Sequence, residues 1–118
     1  MGLTIIEKIL AAHSGQEIVR PGDIVDMSVD ARVARDFGGA NVVKALREAG
    51  LGIDDASLTS FTFDCNPGGS DQKYAANQHI CRMYAAEQGL EVYDIDAGIG
   101  THVAIERGMI WPGGTLVS

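Results

Sequence analysis

The chain has 118 residues, a length that fits one domain with a substantial hydrophobic core. Its formal net charge is −7, and an acidic surface repels phosphate backbones and anionic lipid headgroups, so we exclude nucleic-acid and membrane binding. No apolar run reaches the ~18 residues of a membrane span, and the N-terminus is not a signal peptide. The two cysteines form no CxxC motif, which favours a reducing, cytoplasmic setting and predicts no metal held by this chain.

The first predicted elements are a helix and a strand. Thr4 and Glu7 have the spacing of a capping box, the apolar residues that follow fall on one helical face, and Gly15 ends the helix. Residues 23–30, DIVDMSVD, then alternate between apolar and polar side chains, which is typical of a half-buried strand.

Glycines mark the limits of several of the remaining predicted elements. Residues 32–40 contain Gly38-Gly39 and are predicted to form a loop or a short, broken helix. Asn41 is predicted to cap a helix that ends at Gly50, and residues 57–64 form a predicted buried strand. The remaining predicted elements are a long helix, a strand, a short helix and a strand, at residues 71–88, 90–95, 101–107 and 115–117.

This alternation of helices and strands predicts the fold class. It favours a single α/β domain over residues 1–118, a three-layer α/β/α arrangement with a mainly parallel sheet. The last predicted strand is only a few residues long and reaches Ser118, so we expect a truncated domain.

Carboxylates follow several predicted strands, where ligands gather in parallel α/β sheets. Asp64 and Cys65 follow one strand, residues 94–96 follow the next, and Asp36 lies near the second element. Asp64 has two interpretations of similar weight: a base or ligand contact at the strand end, or a cap for the turn before Pro67.

The other reactive side chains carry weaker signals. Cys65 is a nucleophile only with a base and a lowered pKa, so an inert, partly buried thiol is favoured. Cys81 is predicted to pack in the core, and His79 to be a packing or surface residue. His13 is predicted only to interact with a helix dipole. His102 either contacts an anionic ligand or lies on the surface beside a turn.

The glycine loop at residues 98–100 gives little evidence for a nucleotide site. Gly98-Ile99-Gly100 lacks the third glycine of a dinucleotide fingerprint, because Val stands at position 103.

The neighbouring residues Arg35 and Asp36 have two interpretations. Such a pair is usually a solvated ion pair, although beside two glycines it would suit contact with a carboxylate.

Three segments resemble one enzyme family. LTIIEKILAAHSG…VRPGDIVDMSVD is similar to the start of 3-isopropylmalate dehydratase and homoaconitase large subunits. ANQHICRMYAAEQGL resembles the family pattern AxQHxxxRxFAxxxGI, and AGIGTHVAIERGMIWPGGTLVS resembles GxGIxHxVxxExGxxxPGxxVxG. The segments occur in the family's order and together cover almost the whole chain. The chain therefore resembles the N-terminal part of this aconitase-like family.

The resemblance implies a fold and an activity. The fold would match the start of the aconitase first domain. The family's enzymes are hydro-lyases that dehydrate and rehydrate di- or tricarboxylic acids, here on the route of leucine biosynthesis, with a [4Fe-4S] cluster as Lewis acid. Its cluster cysteines lie farther along the family's chain, so this chain would hold no cofactor itself. It would need the cluster-bearing part and the small (swivel) subunit as partners.

The resemblance also implies site residues, with two departures. Asp64 matches the Asp of the family's Asp-His pair, but Cys65 stands at the histidine. The family's other histidine aligns with Thr101, and His102 falls one place later. Thiol and hydroxyl groups carry protons poorly near neutral pH, so we expect a different substrate or altered chemistry. The predicted site residues are Asp64, Cys65, Thr101 and His102, with Arg35 and Asp36 as substrate contacts.

Three functional hypotheses follow. The first is a segment or split subunit of an aconitase-superfamily hydro-lyase, inactive alone. The second is a non-catalytic α/β domain that binds a small carboxylic acid or a partner protein, and the third is a thiol enzyme using Cys65. An exposed apolar face, with self-association into a homo-oligomer, would favour the first over the second.

Overall fold

The computed structural model describes residues 2–118, in which helices and strands alternate in the predicted order. The helices are α1 (Ile5–Ser14), α2 (Gly39–Ala49), α3 (Gln72–Gln88) and α4 (Gly100–Glu106). The strands are β1 (Ala31–Arg35), β2 (Thr59–Thr62), β3 (Glu91–Tyr93) and β4 (Leu116–Val117), and a short 3₁₀ helix, Ala56–Leu58, precedes β2. None of the helices within residues 2–118 combines the length and apolar character that crossing a bilayer requires.

The four strands form one parallel sheet in the order β3-β2-β1-β4. Phe61 and Phe63 project from one face into a core shared with α2 and α3, whose buried members include Val43, Cys81 and Tyr84. On the other face, the Ser60 hydroxyl donates to the Met109 sulfur, just beyond α4. Helices therefore lie on both faces of the sheet, which confirms the predicted α/β class and its parallel strands.

The first strand lies later in the chain than predicted. Residues 23–29 are irregular, and Ile24 is fully exposed, so the strand predicted at 23–30 is wrong. The strand is instead Ala31–Arg35, where a loop or broken helix was predicted. Asp30 and Ala31 donate their backbone N–H groups to the Thr115 carbonyl, so pairing with the end of the chain fixes where β1 begins.

Helix α2 also begins earlier than predicted. Asn41 is not its N-cap, because the helix starts at Gly39 with Gly38 as N-cap and no side-chain cap. A Cβ at position 39 would lie 2.9 Å from the Cys81 sulfur and 3.1 Å from the Phe61 ring. Only glycine allows α2 to start this close to α3 and β2. The burial of Cys81 confirms its predicted place in the core.

Helix α1 has the predicted caps, but His13 does more than interact with the helix dipole. The Thr4 hydroxyl accepts from the Glu7 N–H while the Glu7 carboxylate accepts from the Thr4 N–H, and Gly15 ends the helix at φ 70°. His13 Nδ1 lies 2.8 Å from the Ile9 carbonyl, and its Nε2 lies 2.8 Å from the Asp30 carboxylate. Both ring nitrogens face acceptors, an arrangement that only the doubly protonated imidazolium satisfies.

We expect α1 to detach as the pH rises. The Ile9 carbonyl, and then Asp30, raise the pKa of His13 above its usual value near 6.5. This contribution to stability is complete below the unfolded pKa and is lost as the pH rises through the folded pKa. Amide hydrogen exchange in α1 should accelerate beyond the intrinsic rate increase as the pH rises above about 6.5, the usual pKa of histidine. Asp30→Asn should remove most of this extra dependence, and an unchanged profile would contradict the role of the pair.

Candidate functional site

The carboxyl ends of β1 and β2 bring three reactive side chains together. Asp36 follows β1, and Asp64 and Cys65 follow β2, at the same edge of the parallel sheet. One carboxylate oxygen from each aspartate and the Cys65 sulfur all lie within 4.8 Å of one another. The predicted convergence of these residues at the strand ends therefore appears in the structure.

Asp36 is a buried anchor and not a solvated partner of Arg35. Its side chain is fully buried and accepts hydrogen bonds from the N–H groups of Cys65 (3.2 Å) and Asn66 (3.4 Å) and from the Gln78 amide (3.0 Å). Burial acts to raise the pKa of Asp36, but the hydrogen bonds from Gln78, Cys65 and Asn66 outweigh it and leave the pKa below its usual value. Asp36 thus fixes the backbone that follows β2.

Asp64 connects β2 to the start of α4. Its Oδ2 accepts from the Gly100 N–H at 2.9 Å, and its Oδ1 lies 3.7 Å from the Cys65 sulfur as acceptor of the thiol. A Cβ at position 100 would lie 2.5 Å from the Thr62 hydroxyl oxygen, so glycine is required for this close approach. Asp64 therefore orders the loop before α4, and within residues 2–118 it makes no hydrogen bond to the turn at Pro67 that would support the alternative role as its cap.

Thr101 and His102 follow Gly100 in the first turn of α4. Thr101 is half-buried and His102 is exposed. Their backbone is held beside the strand ends through the bond between Gly100 and Asp64. Across residues 2–118, neither side chain is hydrogen-bonded to Asp64 or Cys65. The structure thus places the four predicted catalytic residues at one edge of the sheet without connecting all of them.

Cys65 is exposed but is not an activated thiol. Although the residue as a whole is exposed, partial burial of its sulfur, and then the nearby carboxylates of Asp36 and Asp64, raise the pKa of the Cys65 thiol to about 11. Negative neighbours disfavour the thiolate, which is the nucleophilic form. No histidine is hydrogen-bonded to the sulfur in the part of the chain that the structure describes. This environment argues against the thiol-enzyme hypothesis.

The rate of alkylation measures the reactivity of the Cys65 thiol directly. A shift of the Cys65 pKa from 9.0 to about 11 lowers the thiolate fraction at pH 7, so reaction with iodoacetamide should be roughly 100-fold slower than in the urea-unfolded chain. Cys65→Ser identifies the reacting residue, since Cys81 is buried in the folded protein. Alkylation of Cys65 as fast as in the unfolded chain would contradict the assignment of an inert thiol.

Arg35 lies at the other side of the β1 end and lines an apolar groove of about 690 Å³. Its Nε atom is buried without a hydrogen-bond partner, and no carboxylate among residues 2–118 forms an ion pair with it. The predicted pairing with Asp36 is therefore wrong, because Asp36 points into the protein and its oxygens are occupied. Arg35 remains available to a carboxylate from outside.

No family model matches the chain. The large subunit 1 of 3-isopropylmalate dehydratase from Methanopyrus kandleri is 34% identical over 119 residues, and its counterpart from Desulfatibacillum aliphaticivorans is 32% identical over 120 residues. The large subunit from Sulfurihydrogenibium sp. is 31% identical over 120 residues. Each alignment covers 99% of this chain.

The chain matches one segment of the 3-isopropylmalate dehydratase large-subunit family. It spans 28% of the Methanopyrus and Sulfurihydrogenibium subunits and 29% of the Desulfatibacillum subunit. The resemblance seen in the sequence motifs is thereby confirmed over the whole chain.

The family segment ANQHICRMYAAEQGL contains two residues to which sequence reasoning gave no role. Gln78 is buried and donates to Asp36 and to the Asn66 carbonyl, both at 3.0 Å. Arg82 donates to both oxygens of Asp94 at 2.8 and 2.6 Å, and its guanidinium stacks 4.9 Å from the Phe63 ring centroid. Arg82 lowers the pKa of Asp94. The sequence feature that could have identified them is the spacing of Gln78 and Arg82, which puts two polar side chains one turn apart on the same face of a helix.

Proposed function

We propose that this chain is the N-terminal segment of an aconitase-superfamily hydro-lyase, active only with the cluster-bearing part and small subunit of such an enzyme. The observation that carries the proposal is the match of 99% of this chain to 28% of a 3-isopropylmalate dehydratase large subunit. The reaction would be dehydration and rehydration of a hydroxy di- or tricarboxylic acid. Residues 1–118 would then form part of a larger first domain.

The residues of this chain do not fit the implied [4Fe-4S] cluster. Such clusters are held by several cysteine thiolates, and this chain has two cysteines. Cys81 is enclosed in the core between α2, α3 and β2, and burial raises its pKa to about 11. No reaction step is therefore assigned to a cluster on this chain, and the Lewis acid would come from the remaining part of the enzyme.

The strand-end residues would form one wall of the active site. Asp64 would exchange a proton with the substrate, while Thr101 and His102 would face it from the start of α4. Arg35 would bind a carboxylate of the substrate, because it forms no ion pair within the described residues. Asp36 has no exposed surface, so we assign it a positioning role and not the substrate contact predicted from the sequence.

Cys65 points to altered chemistry or a different substrate. It stands where the family has the histidine of its Asp-His pair, and its pKa of about 11 leaves it protonated at neutral pH. A group that stays protonated cannot cycle protons at the rate of an imidazole with a pKa near 6.5. We therefore propose that this segment supports isopropylmalate dehydration poorly.

The surface of the chain argues against the alternative of an independent binding domain. The radius of gyration is 16.3 Å, whereas a compact domain of this length has a radius of about 13.5 Å. Large apolar side chains are exposed in several elements, including Ile5 at 73%, Phe37 at 67% and Ile105 at 62%. Exposed apolar surface is where further protein would pack, and together with the large radius of gyration it supports a segment of a larger domain.

A chimera tests the proposal. This chain would replace the matched segment of the Methanopyrus kandleri large subunit, which would be assembled with that enzyme's small subunit. We expect weak dehydration of 3-isopropylmalate, followed by ultraviolet absorbance of the unsaturated product. Cys65→His should raise kcat by about 100-fold or more, the usual contribution of a placed proton carrier.

Matched controls separate chemistry from folding. Cys65→Ser removes the thiol without adding an imidazole and should leave kcat low, and Asp64→Asn should abolish the gain from Cys65→His. The unmodified Methanopyrus enzyme gives the reference rate. A folded, cluster-loaded chimera in which Cys65→His has no effect would contradict the proposed place of Cys65 in the site.

A further inference from the structure

A second cavity lies at the edge of the sheet opposite the strand-end site. Its volume is about 270 Å³, smaller than the about 300–1,000 Å³ of pockets for drug-sized ligands, so it has room for a single side chain. Val29 and Asp30, just before β1, form one wall, and Leu58, just before β2, forms another. Met109 and Trp111, which follow α4, lie across from them. The proposed hydro-lyase site uses none of these residues.

The lining of this cavity is mostly apolar, and its charged residue is Asp30. Trp111 keeps 56% of its surface exposed, and Val29 and Leu58 are half-buried. The face of an indole ring attracts a cation, and an aliphatic stem lies favourably along apolar walls. The cavity therefore suits a group with an aliphatic stem and a positively charged end.

The Asp30 carboxylate leaves one oxygen for such a group. Its Oδ2 accepts from His13 Nε2 at 2.8 Å and from the N–H and hydroxyl of Thr115 at 2.9 and 3.2 Å, whereas Oδ1 accepts no hydrogen bond within residues 2–118. The Thr115 N–H, and then His13, lower the pKa of Asp30, so the carboxylate is ionised at neutral pH. One oxygen suits a compact ammonium better than a guanidinium, whose paired N–H groups need two acceptors.

The surroundings of the cavity favour a basic protein as the source of this ammonium. Asp55 accepts from the hydroxyl of Ser57, which also lines the cavity, and forms no ion pair within residues 2–118. The whole chain carries a net charge of −7, which attracts a partner of opposite charge. Tryptophan is enriched at the centres of protein interfaces, and protein around the bound side chain would cover the exposed part of Trp111.

We propose that this cavity binds a lysine side chain on the surface of a basic partner protein. The lysine stem lies between Leu58 and the Trp111 ring, and the ammonium donates to Asp30 Oδ1. This interaction is separate from the proposed hydro-lyase chemistry, because the cavity and the strand-end site lie at opposite edges of the sheet.

The fluorescence of Trp111 reports directly on the cavity, because this residue is the single tryptophan of the chain. The probe is the capped pentapeptide Gly-Leu-Lys-Leu-Gly, with matched peptides that carry norleucine or arginine in place of lysine. We expect the lysine peptide to shift the emission to the blue with saturation and to move the amide signals of residues 29–30, 57–58 and 108–111. The norleucine peptide should bind at least fivefold more weakly, and the arginine peptide at least threefold more weakly.

Variants of the protein test the ion pair from the other side. Asp30→Asn should weaken binding of the lysine peptide at least fivefold. Asp26→Asn, which removes an exposed carboxylate outside the cavity, should leave the affinity unchanged. Since Asp30 also pairs with His13, circular dichroism checks that α1 persists in Asp30→Asn. The comparison of lysine and norleucine peptides keeps the test decisive if α1 is lost.

The other outcomes overturn the inference. They are the absence of saturable binding at millimolar peptide, equal affinity of the lysine peptide and either matched peptide, and amide shifts confined to the strand-end site around Asp64 and Cys65. Binding of n-butylammonium as tightly as the lysine peptide would assign the cavity to a free amine and not to a partner protein. Because the assay needs neither cluster nor turnover, it can fail while the chimera succeeds, and the reverse.

Discussion

Replacing Gly100 by alanine is expected to destabilise the protein by about 3 kcal/mol, the upper range for inserting a methyl group into a packed interior. The added Cβ would lie 2.5 Å from the Thr62 hydroxyl oxygen and 3.1 Å from its Cβ, and both residues are buried. The start of α4 must then move away from β2, which would also weaken the 2.9 Å bond from the Gly100 N–H to Asp64. Urea unfolding monitored by circular dichroism measures the change.

Two variants make the Gly100 result specific. Gly2→Ala adds the same methyl group at a position with no atom within 4 Å and outside every helix and strand, and should change the free energy of unfolding by less than about 0.5 kcal/mol. Thr62→Ala removes the closest clashing atom, so it should recover part of the stability of Gly100→Ala. Equal effects of Gly100→Ala and Gly2→Ala would show that α4 does not abut β2 as described.

Replacing Asp36 by alanine is expected to cost about 3 kcal/mol at pH 7, because it leaves three donors without their acceptor. The donors are the N–H groups of Cys65 and Asn66 and the amide of Gln78. The loop after β2 should lose its order, and with it the arrangement of Asp64 and Cys65. Asp26→Ala, a change on the exposed segment before β1, is the matched control and should be nearly neutral.

The Asp36 variant should also change the pH dependence of stability. The pKa of Asp36 in the folded protein lies below its usual value. Its contribution to the free energy of unfolding is therefore present above the unfolded pKa of about 3.9 and is lost as the pH falls through the folded pKa. The native protein should therefore lose more unfolding free energy between pH 5 and pH 2 than Asp36→Ala does. Parallel pH profiles would contradict a stabilising, ionised Asp36.

The general architecture followed from local patterns in the sequence. The capping box at Thr4 and the glycines after α1, α2 and α3 predicted helix limits, because left-handed C-caps need glycine. The regular alternation of helices and strands predicted a parallel sheet, since parallel strands require crossover connections. The strand ends then predicted which acids converge.

Strand β1 could not be recognised locally. Its sequence, ARVAR, carries two arginines, although Ala31 and Val33 are buried. Arg32 fits because its guanidinium reaches Asp54, 22 residues later in the chain. By contrast, DIVDMSVD has the alternation of a strand, but in the described part of the chain no strand pairs with it. Strand formation here depends on partners that are distant in the sequence.

Parts of the site likewise depended on tertiary contacts. The role of Asp36 required knowing that Gln78, 42 residues later, would donate to it inside the core. The role of Gly100 required the position of Thr62, on a strand separated from it by α3 and β3. Sequence spacing predicted that Asp36, Asp64 and Cys65 meet at one edge of the sheet, and side-chain packing decided that Asp36 is buried and Cys65 exposed.

Anaerobic reconstitution with iron and sulfide shows whether this chain can hold a [4Fe-4S] cluster by itself. The protein, with Cys65→Ser as control, would be incubated with both, desalted, and measured for visible absorption and bound iron per chain. We expect no stoichiometric cluster, because a [4Fe-4S] cluster needs more thiolates than this chain can present and Cys81 is enclosed in the core. A stoichiometric cluster that is lost in Cys65→Ser would contradict this expectation, since this chain would then hold its own cofactor.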